Sequence, residues 1–178
     1  MTIYTIGHSN RPIEEFLALL QKHRIEQLVD VRLFPGSRTN PQFGREALQH
    51  SLNAAGIAYV HEPRLGGRRR AAKDSTNTGW RNTSFRGYAD HMATREFKAA
   101  LASLVALAGE RTTTVMCAEA VPWRCHRFLI ADALTHAGWR VLHITGSAKP
   151  SQHTFTPFMR VRRGELTYPP EQPGLELE

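Results

Sequence analysis

A chain of 178 residues with 41% hydrophobic content can bury one ordinary core, which excludes an extended or disordered protein. Its apolar runs, such as Leu101 to Ala108, fall far short of the roughly 20 residues that cross a bilayer, and Met1 leads into a strand-like segment without a basic start. A soluble, cytoplasmic protein with no membrane partner is therefore expected. The formal charge of +7 is concentrated: residues 61–87 hold seven Lys/Arg against two Asp/Glu, while the segments before and after are nearly balanced.

Thr2 to Ile6 alternates like a strand, and Pro12 opens a helix whose Ile13, Phe16, Leu17 and Leu20 share one face. Leu28 to Val31 reads as a second strand. Leu48, Ser51, Leu52 and Ala55 mark a second helix that stops at Gly56, and Ile57 to Val60 a third strand. Residues 61–93 form a basic, weakly periodic insertion loop. Phe97, Leu101, Leu104 and Ala108 then line a third helix ending at Gly109, and Thr112 to Met116 is a β-branched fourth strand. Pro122 is expected to begin a fourth helix that closes at Gly138, before a fifth strand from Trp139 to Ile144. Residues 150–178 hold five of the ten prolines, including Pro173, and predict an extended tail packed on the same domain.

Strands alternating with helices predict a single α/β domain over residues 1–149: Rossmann-like, three-layered, with a mostly parallel five-stranded sheet in the order 3-2-1-4-5. Ligands of such sheets bind beyond the carboxyl ends of the strands, where the order reverses. Chemically capable residues gather there. The first strand leads into Gly7, His8 and Ser9, the second into Asp30, Arg32, Ser37 and Arg38, the fourth into Cys117 and Glu119, and the fifth into Thr145 and Ser147. Each also has a plain structural role to weigh. Ser9 or Asn10 can cap a helix, Asp30 and Arg32 can form a structural ion pair, and His126 shares a face with Ile130 and reads as a satisfied buried histidine.

Cys117 lies between a strand end and the expected helix start, near Arg124 and Arg127, which predicts a lowered thiol pKa. The spacing departs from a phosphatase loop of cysteine, five residues and arginine, because Trp123 occupies the arginine position and Arg124 follows it. No C-x-x-C or paired-histidine motif points to zinc; Cys117, Cys125, His126 and His8 would meet only by tertiary chance. Covalent haem attachment lacks its C-x-x-C-H. No metal is assigned and no cofactor is required by the sequence.

Taken in order, Tyr4-Thr5-Ile6-Gly7-His8-Ser9, Asp30-Val31-Arg32 with Pro35, Ser37 and Arg38, Leu65-Gly66-Gly67, Cys117-Ala118-Glu119 with Cys125-His126-Arg127, and Leu166-Thr167-Tyr168-Pro169 resemble the family catalogued as domain of unknown function 488. The resemblance spans almost the whole chain and implies the fold. It implies no reaction, substrate or catalytic role.

Three functions compete. The first is an enzyme that hydrolyses or transfers a group on a phosphorylated or otherwise anionic substrate, a nucleotide or nucleic acid fitting best. Gly7, Ser9, Ser37, Arg38, Gly66, Gly67, His126 and Arg127 would bind it, while His8, Asp30, Arg32, Cys117 and Glu119 would carry the chemistry. The second is a non-catalytic nucleic-acid binder, with Gly66 to Arg70, Lys73, Arg81 and Arg86 on phosphates and Trp80, Phe85 or Tyr88 on a base. The third is a thiol or redox protein built on Cys117 and Cys125.

Overall fold

Thr2–Gly7 (β1) turns Ile3 to one side of the sheet and Ile6 to the other, and its last three residues are all buried, as strand geometry requires of a chain covered on both faces. The computed structural model describes residues 1–36 and 38–170. Ser37, expected on the rim, and Pro173 of the tail lie outside them. After β1 come α1 (Ile13–Lys22), β2 (Gln27–Asp30), α2 (Arg45–Ala54), β3 (Ala58–His61), α3 (Thr83–Met92), α4 (Arg95–Glu110), β4 (Thr113–Cys117), α5 (Arg127–His136) and β5 (Arg140–Ile144). Three short strands follow: β6 (Ser151–Gln152), β7 (Arg160–Arg162) and β8 (Glu165–Thr167).

The fold is α/β with a mostly parallel sheet, but its strand order corrects the expected one. Six strands run β3-β2-β4-β1-β5-β6, with only β6 antiparallel, so β4 lies between β2 and β1 instead of beyond β1. Its five residues, Thr-Thr-Val-Met-Cys, are all buried, the pattern of a strand paired on both edges and covered on both faces. Phe16, Leu19 and Leu20 of α1 and Leu48 and Leu52 of α2 pack on Ile6, Leu28 and Met116. On the opposite face, residues of α3, α4 and α5 pack on Ile3, Val29 and Val115. No described helix is long and apolar enough to cross a membrane.

Two further expectations change. The basic segment 61–93 is more than a loop, because it contains a 3-10 turn, Pro63–Leu65, and all of α3. Its apolar residues are few and its composition polar, which hid the helix. The helix expected from Pro122 is only a 3-10 turn, Pro122–Arg124; Cys125 is then extended, and α5 begins at Arg127.

The tail is tied down by one carboxylate. Asp132 of α5, fully buried, accepts from His153 Nε2 at 2.8 Å, Thr156 N at 3.1 Å, Thr156 Oγ1 at 2.7 Å and Tyr168 OH at 2.9 Å. Tyr168 in turn donates its N–H to Asn77 and accepts from Gly79, stitching the basic segment to the tail. Asp132→Ala strands three buried side-chain donors without an acceptor, and each orphan costs about 1–3 kcal/mol. Urea unfolding should show a loss of about 3 kcal/mol or more, with earlier proteolytic cleavage after residue 150; a loss below about 0.5 kcal/mol would mean the clasp carries no stability.

Candidate active site

The chain leaves β1 through α1 on one face and leaves β4 through α5 on the other, so the loops part between these neighbouring strands. A hollow of about 640 Å³ opens there, with His8, Arg32, Glu119, Cys117, Cys125 and His126 in its lining. The register sets Gly7 opposite Cys117 and Asp30 opposite Met116. Backbone bonds continue past the strand ends, His8 N to Cys117 O at 3.0 Å and Ser9 N to Ala118 O at 2.9 Å. Gly7 permits this zipping: a Cβ there would stand 1.7 Å from the Glu119 carbonyl oxygen. The His8 and Ser9 amides are thereby occupied and do not form the anion cradle expected of them. Neither Ser9 nor Asn10 caps α1, whose N-cap position is Pro12.

Asp30 and Arg32 form a buried, bidentate pair, with Arg32 Nε on Oδ1 at 2.9 Å and Nη2 on Oδ2 at 2.6 Å. The Arg32 amide and Tyr59 OH also donate to this carboxylate. With four donors on it and no surface exposed, Asp30 is saturated and turned away from the hollow's lining. Arg32 passes the arrangement on, placing Nη1 3.2 Å from His8 Nε2, while His8 Nδ1 lies 2.7 Å from Ser9 O. A guanidinium only donates, so Nε2 holds the lone pair and Nδ1 the proton. Burial above all, and then the Arg32 charge, lowers the His8 pKa to about 4.

Arg127 lies 1% exposed against Cys117. Its Nε donates to Cys117 Sγ at 2.9 Å, Nη2 to Glu119 O at 2.6 Å and Nη1 to Thr5 Oγ1 at 3.4 Å, with no carboxylate in ion-pair range among the described residues. Both cysteines are free and buried. Burial and the hydrogen bond to Cys125 push the Cys117 thiol well above its ordinary range. Burial also opposes ionisation of Cys125, but the hydrogen bond from Cys117, His126 and Arg127 together draw it well below that range. This reverses the expected lowering of Cys117. The helix that was to favour Cys117 starts ten residues later, and its first amide, Arg127 N, points at Cys125 Sγ at 3.5 Å. The two thiols are thus pushed in opposite directions beside the Arg127 cation.

A polar chain leads away from Arg127 that the sequence did not disclose. Thr5 Oγ1 meets His143 Nδ1 at 2.7 Å, His143 Nε2 meets His153 Nδ1 at 3.0 Å, and His153 Nε2 meets Asp132. The guanidinium donates at one end of this chain and the carboxylate accepts at the other. Burial, followed by the neighbouring His153, lowers the His143 pKa to about 3 and keeps that ring neutral. Strands β1 and β5 carry Thr5 and His143 in direct register, a pairing concealed by the expected order, which set the fourth strand between them.

The remaining expected residues divide. Gly66 and Gly67 are buried where a Cβ would stand 2.8 Å from Pro63 O and from His126 Nδ1 respectively, so they let the basic segment close on the hollow. His126 is half-buried beside Cys125 Sγ at 3.5 Å, and its buried Nε2 has no protein partner among the described residues, unlike the satisfied histidine expected. Glu119 is exposed on the lining, whereas Arg38 is exposed outside it. Of the aromatics offered to a base, Tyr88 is buried with its hydroxyl on Leu65 O, and Trp80 packs on Phe85, Phe158 and Tyr168. Arg69 and Arg86 spend donors on backbone carbonyls. No group of three or more His, Cys, Asp or Glu among the described residues is arranged to hold a metal ion.

Two measurements check this geometry. The His8 ring should remain neutral, with Nδ1 protonated, in a nitrogen NMR titration down to pH 5, and protonate near pH 4. Its folded pKa lies below its unfolded value of 6.5, so unfolded chains take up a proton that folded ones refuse; stability falls as pH drops from 6.5 toward 4. A native pKa at or above 6.5 would overturn the tautomer. Gly7→Ala should lower stability by about 3 kcal/mol or more, read by thermal unfolding, because its Cβ meets backbone that cannot rotate away.

The family model described as domain of unknown function DUF488 matches residues 12–134. No curated protein and no solved structure matches the chain. The match covers more than half of the 178 residues, and the chain belongs to this family.

Proposed function

We propose that this DUF488 member is an enzyme that hydrolyses or transfers a group on an anionic, phosphorylated substrate, with Cys117 as nucleophile. One observation carries the reading: a buried guanidinium without a carboxylate partner among the described residues donates to a cysteine sulfur on the lining of a substrate-sized hollow. A buried cation is costly unless an anion compensates it, and the nearest candidate is the thiolate shared by Cys117 and Cys125.

In the first step the Cys117 sulfur bonds to the electrophilic centre while its proton passes to the Cys125 thiolate, and Arg127 Nε steadies the sulfur's charge. The bond to the leaving group breaks, and Glu119 on the lining supplies the leaving group's proton. Water then attacks the Cys117 adduct, giving its proton to Glu119, and the Cys125 proton returns to the sulfur. Asp30, saturated by Arg32 and Tyr59, acts as a positioning residue through Arg32 and His8. Free thiols at the site suit a reducing, cytoplasmic setting.

Both cysteines are free and lie on the lining of the same hollow, which favours a second reading, a reversible dithiol–disulfide pair. Hydrolysis of a panel of phosphorylated compounds and nucleotides separates the two. Cys117→Ser should reduce turnover by about three orders of magnitude and Glu119→Gln by about 10- to 100-fold, with Cys125→Ser shifting the acid limb of the pH profile upward. Wild-type turnover by Cys117→Ser rejects the nucleophile. In thiolate absorbance titrations, one thiol per chain should ionise below the ordinary value of about 8.5 and the second only well above it.

A further inference from the structure

The mouth of the hollow carries a chemistry different from its thiol floor. Phe34, 69% exposed, lines it from the loop after β2; Trp123, 61% exposed, directly precedes Arg124, which lines it from the loop between β4 and α5. These are the most exposed aromatic side chains among the described residues, and neither has a ring contact with another. Phe155 is less exposed, at 42%, and Trp80 is clustered with Phe85, Phe158 and Tyr168. Leaving two large rings in water forgoes the stabilisation that burial would give; Phe34 stands on the lining and Trp123 is next in sequence to the lining residue Arg124, so both rings are open to an occupant's contact surface.

The groups around those rings narrow the occupant. Arg68 and Arg124 are exposed on the lining, and neither has a carboxylate partner among the described residues. Arg68 is held with φ at +60°, a left-handed conformation that L side chains rarely adopt. Asn10, Asn82 and Ser84 add hydrogen-bonding groups to the same lining. Flat rings, unpaired guanidinium groups and amides correspond to three features of a nucleotide: the π face of its base, its phosphate, and the base edge with donors and acceptors. A bare phosphate or sugar phosphate would leave the rings without a partner.

We propose that the hollow binds a nucleotide, its base against Phe34 and Trp123 and its phosphate at Arg68 and Arg124. This rests on the reading of the hollow as an anionic-substrate site and names the substrate class. The nucleotide is either free or the terminal unit of a single strand.

Calorimetric titration of Cys117→Ser protein with AMP, ribose 5-phosphate, and 5′-phosphorylated single-stranded and duplex oligoadenylates tests it. AMP should bind at least tenfold more tightly than ribose 5-phosphate. Phe34→Leu and Trp123→Leu, which keep apolar bulk but remove the π face, should each weaken AMP about 5- to 100-fold and leave ribose 5-phosphate unchanged. Arg124→Ala should weaken both ligands. A single strand that outcompetes AMP, with the same response to the leucine variants, supports the inference with the strand end as source; AMP binding more tightly supports it with the free nucleotide. Equal binding of AMP and ribose 5-phosphate overturns it, as does an AMP affinity indifferent to both leucine variants. Nucleotide binding without Cys117-dependent turnover would retain this inference and sink the enzyme. Cys117-dependent turnover of phosphorylated compounds lacking a base, with no nucleotide bound, would do the reverse.

Discussion

The hydrogen bond from Arg127 Nε to Cys117 Sγ ties the start of α5 to the end of β4 and sets the terms for everything near it. An arginine remains charged under any condition in which the protein folds, so enclosing it obliges the surroundings to supply negative charge or oriented dipoles. The Glu119 carbonyl and Thr5 hydroxyl give dipoles, and the Cys117 sulfur accepts the Nε–H. A second cation, Arg32, is treated in the opposite way, with a dedicated carboxylate that leaves only Nη1 to reach His8. The hollow therefore lies between a cation that is neutralised by its own strand and one that leans on sulfur.

That contrast explains which chemistry the geometry favours. His8 has its lone pair engaged by Arg32 and its proton on a carbonyl, so it contributes rigidity more than proton transfer. Asp30 is likewise fixed. The groups left with chemical freedom are the sulfurs, the Glu119 carboxylate and the half-buried His126, all contributed by the last residue of β4 and the segment that follows it.

Much of the frame was legible in the sequence, because its helices and strands announce themselves by periods of 3.6 and 2 and by their closing glycines. Gly56 and Gly138 do take left-handed conformations at helix ends. What was hidden depended on pairings between distant segments. Nothing local in Thr113–Cys117 says that it separates β1 from β2, and only its complete burial shows the central position. The segment after β4 misled for a related reason: Pro122 is a good first helical residue, and here it opens a 3-10 turn instead, leaving Cys125 extended and delaying the helix to Arg127. Residue types at the rim were readable in the sequence, but how they divide their hydrogen bonds was not. His143 and His153 carried no motif, being ordinary residues on a strand and in a proline-rich tail until the fold sets them in line with Asp132.

The placement of β1 has a practical corollary for anyone handling a fragment of this protein. The family match starts at residue 12 and stops at 134, whereas β1 lies between β4 and β5, and both β1 and β5 fall outside those limits. A polypeptide trimmed to the matched span would keep both cysteines yet lose a middle rung of the ladder and the Thr5 hydroxyl that receives Arg127. The arginine would then face a raw edge, so the recognisable stretch of sequence and the smallest folding unit are different objects.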